Sequence, residues 1–202
     1  MANLRKLRRE IPRKLFHLFG LILVFGYSVI NLFFGKEIAL LSLTGLLLVF
    51  MEIEYVRLEH AVSLPGRLAS LMRKHEKDRV TGAIWLTAGC IISFAVFEYS
   101  IAVLSFFFVI FGDTFASLIG IAYGKRKIYR KKSWAGFLGG LSANLICGWI
   151  LMPDRPLVYA PMALTASLVE VFTSKLDDNF TVPLFAGFVG FLMTGLLAVI
   201  GV

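Results

Sequence analysis

Four carboxylates stand inside stretches of sequence that are otherwise apolar: Glu52, Glu54, Asp113 and Glu170. A charge in hydrocarbon is costly, and such residues usually face a bundle interior or a wet cavity where they bind or react. Asp113 opens a glycine-punctuated basic stretch, Gly112-Asp113-Thr114-Phe115-Ala116-Ser117-Leu118-Ile119-Gly120, then Gly124-Lys125-Arg126-Lys127 and Lys132-Ser133-Trp134-Ala135-Gly136. Glycines let backbone amides approach a polyphosphate, and Lys or Arg neutralises it. An acid just upstream is placed to hold the Mg2+ that bridges phosphates. The stretch is not a Walker A loop: GxxxxGK[ST] is absent, and Arg126 stands after Lys125 where Ser or Thr is required.

Helical spacing groups further polar residues. Asp113, Ser117 and Gly120 share one face, and Glu170, Thr173, Ser174 and Asp177 share another, with Asp178 and Asn179 next in line. Gly112, Ala116 and Gly120 form a small-xxx-small row on which another helix can pack closely. Each feature also has a plainer reading. The row can be packing alone, Glu52 and Glu54 can snorkel to the interface near Arg57, Asp113 and Glu170 can be structural ion pairs, and His17 can anchor at headgroup level.

The elements that position these residues follow from composition. A chain of 202 residues that is 58% hydrophobic, with 19 Phe and a mean hydropathy of +0.80, is too apolar for a soluble domain. Seven runs approach the roughly 20 apolar residues a span needs: 15–34, 37–56, 81–97, 99–123, 134–152, 156–174 and 181–201. The expected fold is an all-α polytopic transmembrane bundle of about seven spans, forming one domain over 1–202. Cys90 and Cys147 fall inside spans without metal or disulfide spacing.

The net charge of +8 does not point to nucleic acid once the charges are placed along the chain. Nineteen of the 21 Lys and Arg residues precede span one or lie in the loops after spans two, four and six, leaving Lys36 and Arg155 for the other side. The positive-inside rule then puts the N-terminus and those loops in the cytoplasm. Between spans two and three, Leu64, Leu68, Leu71 and Met72 recur at helical spacing, which predicts an amphipathic helix on the cytoplasmic surface. With this topology all four acids, His17 and Asp177 to Asn179 converge on the side that holds nucleotides.

The quoted residues resemble the CTP-dependent lipid kinase family, which includes dolichol kinase, phytol kinase and the yeast-type CTP-dependent diacylglycerol kinase. The resemblance rests on Gly112-Asp113-Thr114-x-Ala116-Ser117-x-x-Gly120-x-x-x-Gly124-Lys125, on Lys132-Ser133-x-x-Gly136, on Glu170, and on Asp178-Asn179-Phe180-Thr181-Val182-Pro183. Arg13-Lys14-Leu15-Phe16-His17, Arg73, Glu76 and Thr81-Gly82 extend it over nearly the whole chain. The chain departs from the pattern at Phe137, where the family commonly has a hydroxyl after the glycine. Its length suits a compact prokaryotic member in the cell membrane.

The resemblance implies transfer of the γ-phosphoryl of CTP to the hydroxyl of a lipid alcohol: a polyprenol or dolichol, phytol, geranylgeraniol or diacylglycerol. Phosphoryl transfer is mostly positioning and charge neutralisation. On this reading Asp113 and Asp178 bind Mg2+, and Glu170 orients the hydroxyl or acts as base, with the roles of Asp113 and Glu170 exchangeable. The nucleotide falls to Lys125, Lys127 and Lys132 with the Gly120 to Gly124 backbone, supported by Gly112, Thr114, Ser117, Ser133 and Gly136. Lys14, His17, Glu52 and Asn179 are further candidates. The competing readings are a CTP-dependent cytidylyltransferase, whose Lys-Asp and His-Gly-Gly signatures are missing here, and an ion-coupled transporter, for which no repeat symmetry is found.

Overall fold

In the structure, a computed structural model that describes residues 19–59, 80–173 and 176–201, the apolar runs are helices. In chain order they are α1 (Phe19–Phe34), α2 (Lys36–Glu59), α3 (Gly82–Val96), α4 (Tyr99–Phe107), a π-helical turn (Phe108–Gly112), α5 (Asp113–Tyr123), α6 (Trp134–Leu151), α7 (Pro156–Phe172) and α8 (Asp178–Ile200). A short hairpin, β1 (Lys127–Tyr129) with β2 (Lys132–Ser133), joins α5 to α6. The result is an all-helical bundle of the membrane type. Helix α2, the rod from α4 through α5, α6 and α8 are each long and apolar enough to cross a bilayer, while α1, α3 and α7 are shorter apolar helices.

The rod Tyr99–Tyr123 is the centre: 61% of its apolar stretch is buried inside the protein, against 17%, 28% and 22% for α2, α6 and α8. Ile101, Leu104, Phe106 and Phe108 on the rod pack with Phe94 and Met162 into the core. Tyr27 stacks on Phe94 at 3.9 Å. The outer faces carry Phe25, Leu32, Phe33, Phe188 and Leu196, all exposed. In water that surface would aggregate; against hydrocarbon it is the expected exterior.

Three local features differ from expectation. The last helix starts at Asp178, not 181, because Asp177 caps it, its Oδ1 accepting the Asn179 amide at 3.0 Å. Helix α7 stops at Phe172, with Thr173 extended at φ −71°, ψ 125°, so the face expected to run from Glu170 to Asp177 is broken. The basic stretch 127–133 is an antiparallel hairpin pairing Lys127 with Ser133 and Tyr129 with Lys132, and it turns through Arg130 at φ 48°. The amphipathic helix expected between spans two and three lies outside the described residues.

The two ends of the bundle are built differently. At one, Lys36 Nζ donates to Ala95 O at 2.9 Å, Arg155 pairs with Glu98 at 3.3 Å and Tyr99 donates to Ser28 Oγ at 2.6 Å. These exposed contacts fasten neighbouring helix ends. The hairpin and all four acids of the apolar runs belong to the other half.

Candidate active site

Helices α5 and α6 approach so closely that side chains are excluded between them. A Cβ at Gly136 would stand 2.8 Å from Ala116 O, and one at Gly140 would stand 3.0 Å from Ala116 Cβ and 3.1 Å from Gly112 O. A Cβ at Gly124 would meet Ser133 Oγ at 2.6 Å. The small-residue row on α5 is therefore a packing surface. Because α5 is helical through Tyr123, its amides are already used: Gly124 N–H donates to Gly120 O at 3.0 Å and Lys125 N–H to Tyr123 O at 2.8 Å. An open backbone cradle over Gly120 to Gly124 is not formed. Ser133, expected to touch nucleotide, caps α6 by accepting the Gly136 amide at 3.1 Å.

This packing sets the depth of the acids. Glu170, 6% exposed near the end of α7, accepts from Lys132 Nζ at 2.6 Å. The hairpin folds back to make this contact, and Tyr129 rests on Phe172 with ring centroids 5.9 Å apart. The other carboxylate oxygen of Glu170 faces Gly140, 3.4 Å from where its Cβ would be. Gly140 in turn lies against Gly112, so Glu170 is level with the start of α5. There Asp113, 7% exposed, directly follows the π turn, a wide turn often found at functional sites.

Asp178, in the first turn of α8, completes the group. Burial works against the charged form of Lys132, but the charges of Glu170, Asp113 and Asp178, with the Glu170 hydrogen bond, hold its ammonium above the ordinary value of 10.5. Among the described residues, three carboxylates from α5, α7 and α8 thus act on one lysine from the hairpin.

The remaining expected residues are placed as follows. Thr114 Oγ1 donates back to Ile110 O at 2.6 Å, and Ser117 Oγ lies 3.4 Å from Asp113 Oδ1. Lys125 and Lys127 are exposed on the hairpin rim. Asn179 is buried, and its Oδ1 has no hydrogen-bond partner among the described residues. Glu52 is exposed on α2, away from the buried acids. Glu54 does not snorkel: it is buried, takes Arg57 Nη2 at 2.7 Å and Nε at 2.8 Å, and accepts the Thr81 amide at 2.8 Å. Lys14 and His17 lie outside the described residues.

Asn144 was not expected. It is 1% exposed, and its carboxamide occupies the space a Cβ at Gly112 would need. The signal was present as Gly136, Gly140, Asn144 and Gly148 at four-residue spacing, an amide in a row of glycines.

Three relatives bear on this arrangement. The CTP-dependent diacylglycerol kinase 1 of Schizosaccharomyces pombe is 30% identical over 200 residues, covering 87% of this chain and 89% of its own. The CTP-dependent diacylglycerol kinase 1 of Saccharomyces cerevisiae is 26% identical over 87% of this chain and 70% of its own. A probable chloroplastic phytol kinase of Zea mays is 27% identical over 96% and 70%. The chain belongs to the CTP-dependent lipid kinase family. No protein-family model matches the chain, and no solved structure does.

Proposed function

We propose that this protein transfers the γ-phosphoryl of CTP to the primary hydroxyl of a membrane lipid alcohol, diacylglycerol or an isoprenoid alcohol such as phytol. The observation that carries this reading is the cluster of Asp113, Glu170 and Asp178 around Lys132, in a chain whose relatives are named as lipid kinases. Lys125 and Lys127 on the hairpin rim attract the triphosphate, and Lys132 meets the charge that develops on the transferred group. Glu170 holds Lys132 in place and, with Asp113, is the local acceptor for the hydroxyl proton.

The donor set suits Mg2+, which commonly takes one or two carboxylates plus phosphate oxygens and water. Among the described residues no group of three or more His, Cys, Asp or Glu forms a closed protein cage. Asp113 and Asp178 would hold the ion, which when bound neutralises the phosphate oxygens.

The charge distribution supports a multi-pass protein with its N-terminus and this site on the cytoplasmic side. Lys125, Arg126, Lys127, Arg130 and Lys131 are exposed on the hairpin, whereas Lys36 and Arg155 are engaged at the other end. The test is to incubate purified protein with each nucleoside triphosphate and a panel of lipid alcohols. Lipid monophosphate with CDP supports the kinase; CDP-lipid with pyrophosphate would replace it by a cytidylyltransferase.

A further inference from the structure

We propose that Asn144 Oδ1 binds the hydroxyl of the acceptor lipid, on a polar floor that Asn144 and Ser167 make one helical turn deeper in the bundle than Glu170. This rests on the lipid-kinase reading above and adds to it the residue that receives the acceptor. The hydrogen bonds of the floor favour one direction for the amide. Ser167 Oγ donates to Ala163 O at 2.9 Å and accepts Asn144 Nδ2 at 3.1 Å. A reversed carboxamide would leave two acceptors facing each other unless Ser167 gave up its bond to Ala163 O. The oxygen is therefore turned away from α7 and lies against Gly112, next to Asp113 in the chain.

That oxygen has no hydrogen-bond partner among the described residues. A buried carbonyl without a donor is unfavourable and rare in native proteins, and a ligand's donor is one way to satisfy it. Being an acceptor only, it is matched by a donor. Phosphate oxygens of a nucleotide are acceptors and do not fit; a hydroxyl does.

Position agrees with chemistry. Asn144 follows Gly140 by one turn on α6, and Ser167 precedes Glu170 by nearly one turn on α7. The pair thus lies on the apolar side of Glu170, while the basic hairpin lies on the other. A triphosphate arriving by the hairpin and an alcohol arriving from the hydrocarbon would meet at Asp113 and Glu170.

In the transfer, the alcohol oxygen forms a bond to the γ-phosphorus as the bond from that phosphorus to the bridging oxygen breaks and CDP leaves with the electron pair. The hydroxyl proton passes to a neighbouring carboxylate, because an amide oxygen is too weak a base to keep it. Asn144 orients the hydroxyl by accepting its hydrogen bond before that step.

Steady-state kinetics of the purified full chain tests this, with dioctanoylglycerol or phytol as acceptor, whichever the wild type phosphorylates. Asn144→Leu should raise the KM for the acceptor by about tenfold and leave the KM for CTP within about twofold. Ser167→Ala, which frees the amide to turn, should raise it by less, about threefold. If Asn144→Leu does not fold, the Ser167→Ala value carries the test. An unchanged acceptor KM in both Asn144→Leu and Ser167→Ala, or a rise in the KM for CTP instead, overturns the proposal while leaving an active wild type. A wild type that phosphorylates no lipid alcohol overturns the functional reading and this inference with it.

Discussion

Glu54 and Glu170 are both buried carboxylates late in apolar helices, and each holds a cation, Arg57 at 2.7 Å and Lys132 at 2.6 Å. Their surroundings separate them. Arg57 comes from the same helix, three residues on, and is itself buried. The pair also takes the Thr81 amide at the start of α3, so its work is to tie two helices together. Lys132 comes from a hairpin 38 residues away and is still partly open to solvent, and two more acids act on it. A fork of two hydrogen bonds with matched charge is a structural clamp. A single contact on which, among the described residues, two further acids act is suited to receiving a phosphate-bound metal.

Substitution should split the two pairs. Glu170→Gln should lower the turnover of γ-phosphoryl transfer by about a thousandfold or more while the purified protein stays folded. Glu54→Gln should keep most of its turnover but cost about 3 kcal/mol of stability, seen as a lower unfolding midpoint, because the buried Glu54–Arg57 ion pair is broken. Equal losses of turnover in both would erase the distinction.

Lys132 sharpens the same contrast. Lys132→Met should reduce turnover by roughly a hundredfold, with Lys132→Arg retaining more because the charge survives. The pH behaviour follows from the sign of its shift. A lysine held above its ordinary value of 10.5 contributes its full stability below that pH and loses it only as pH climbs through the higher folded value. Above pH 10.5 the gap in unfolding midpoint between wild type and Lys132→Met should therefore shrink as pH rises through the folded value; a gap that widens there would contradict the assignment.

The smallest effects belong to the glycine seam. Gly136→Ala should cost about 1–3 kcal/mol through forced separation of α5 and α6, and Gly124→Ala a similar amount because its Cβ would meet Gly120 O and Ser133. Gly120→Ala, whose Cβ would have 3.3 Å to Ser133 Oγ, should cost less. Thermal unfolding of the purified variants ranks them.

The helices were legible because a bilayer demands long apolar runs and leaves little freedom in where they end: the rod expected at 99–123 is Tyr99–Tyr123. Asp113 and Glu170 stood out for the complementary reason that charge in such runs is conspicuous, and Asp178, outside those runs, stood out only through the family resemblance. What the sequence hid was the division of labour. Glycines that suggested a phosphate loop serve helix contact, since nothing in spacing distinguishes an amide free for a ligand from one used in a helix. The π turn before Asp113 and the return of Lys132 to Glu170 depend on tertiary packing that no local pattern encodes. Asn144 was overlooked because a neutral amide in a helix stands out less than an acid.

The most direct test of the account is the turnover of purified, folded Asp113→Asn with γ-labelled CTP and the acceptor lipid that the wild type uses. Loss of label transfer to lipid by about a thousandfold, with the unfolding midpoint preserved, is the predicted result. Near-normal transfer would contradict the placement of the chemistry at this cluster.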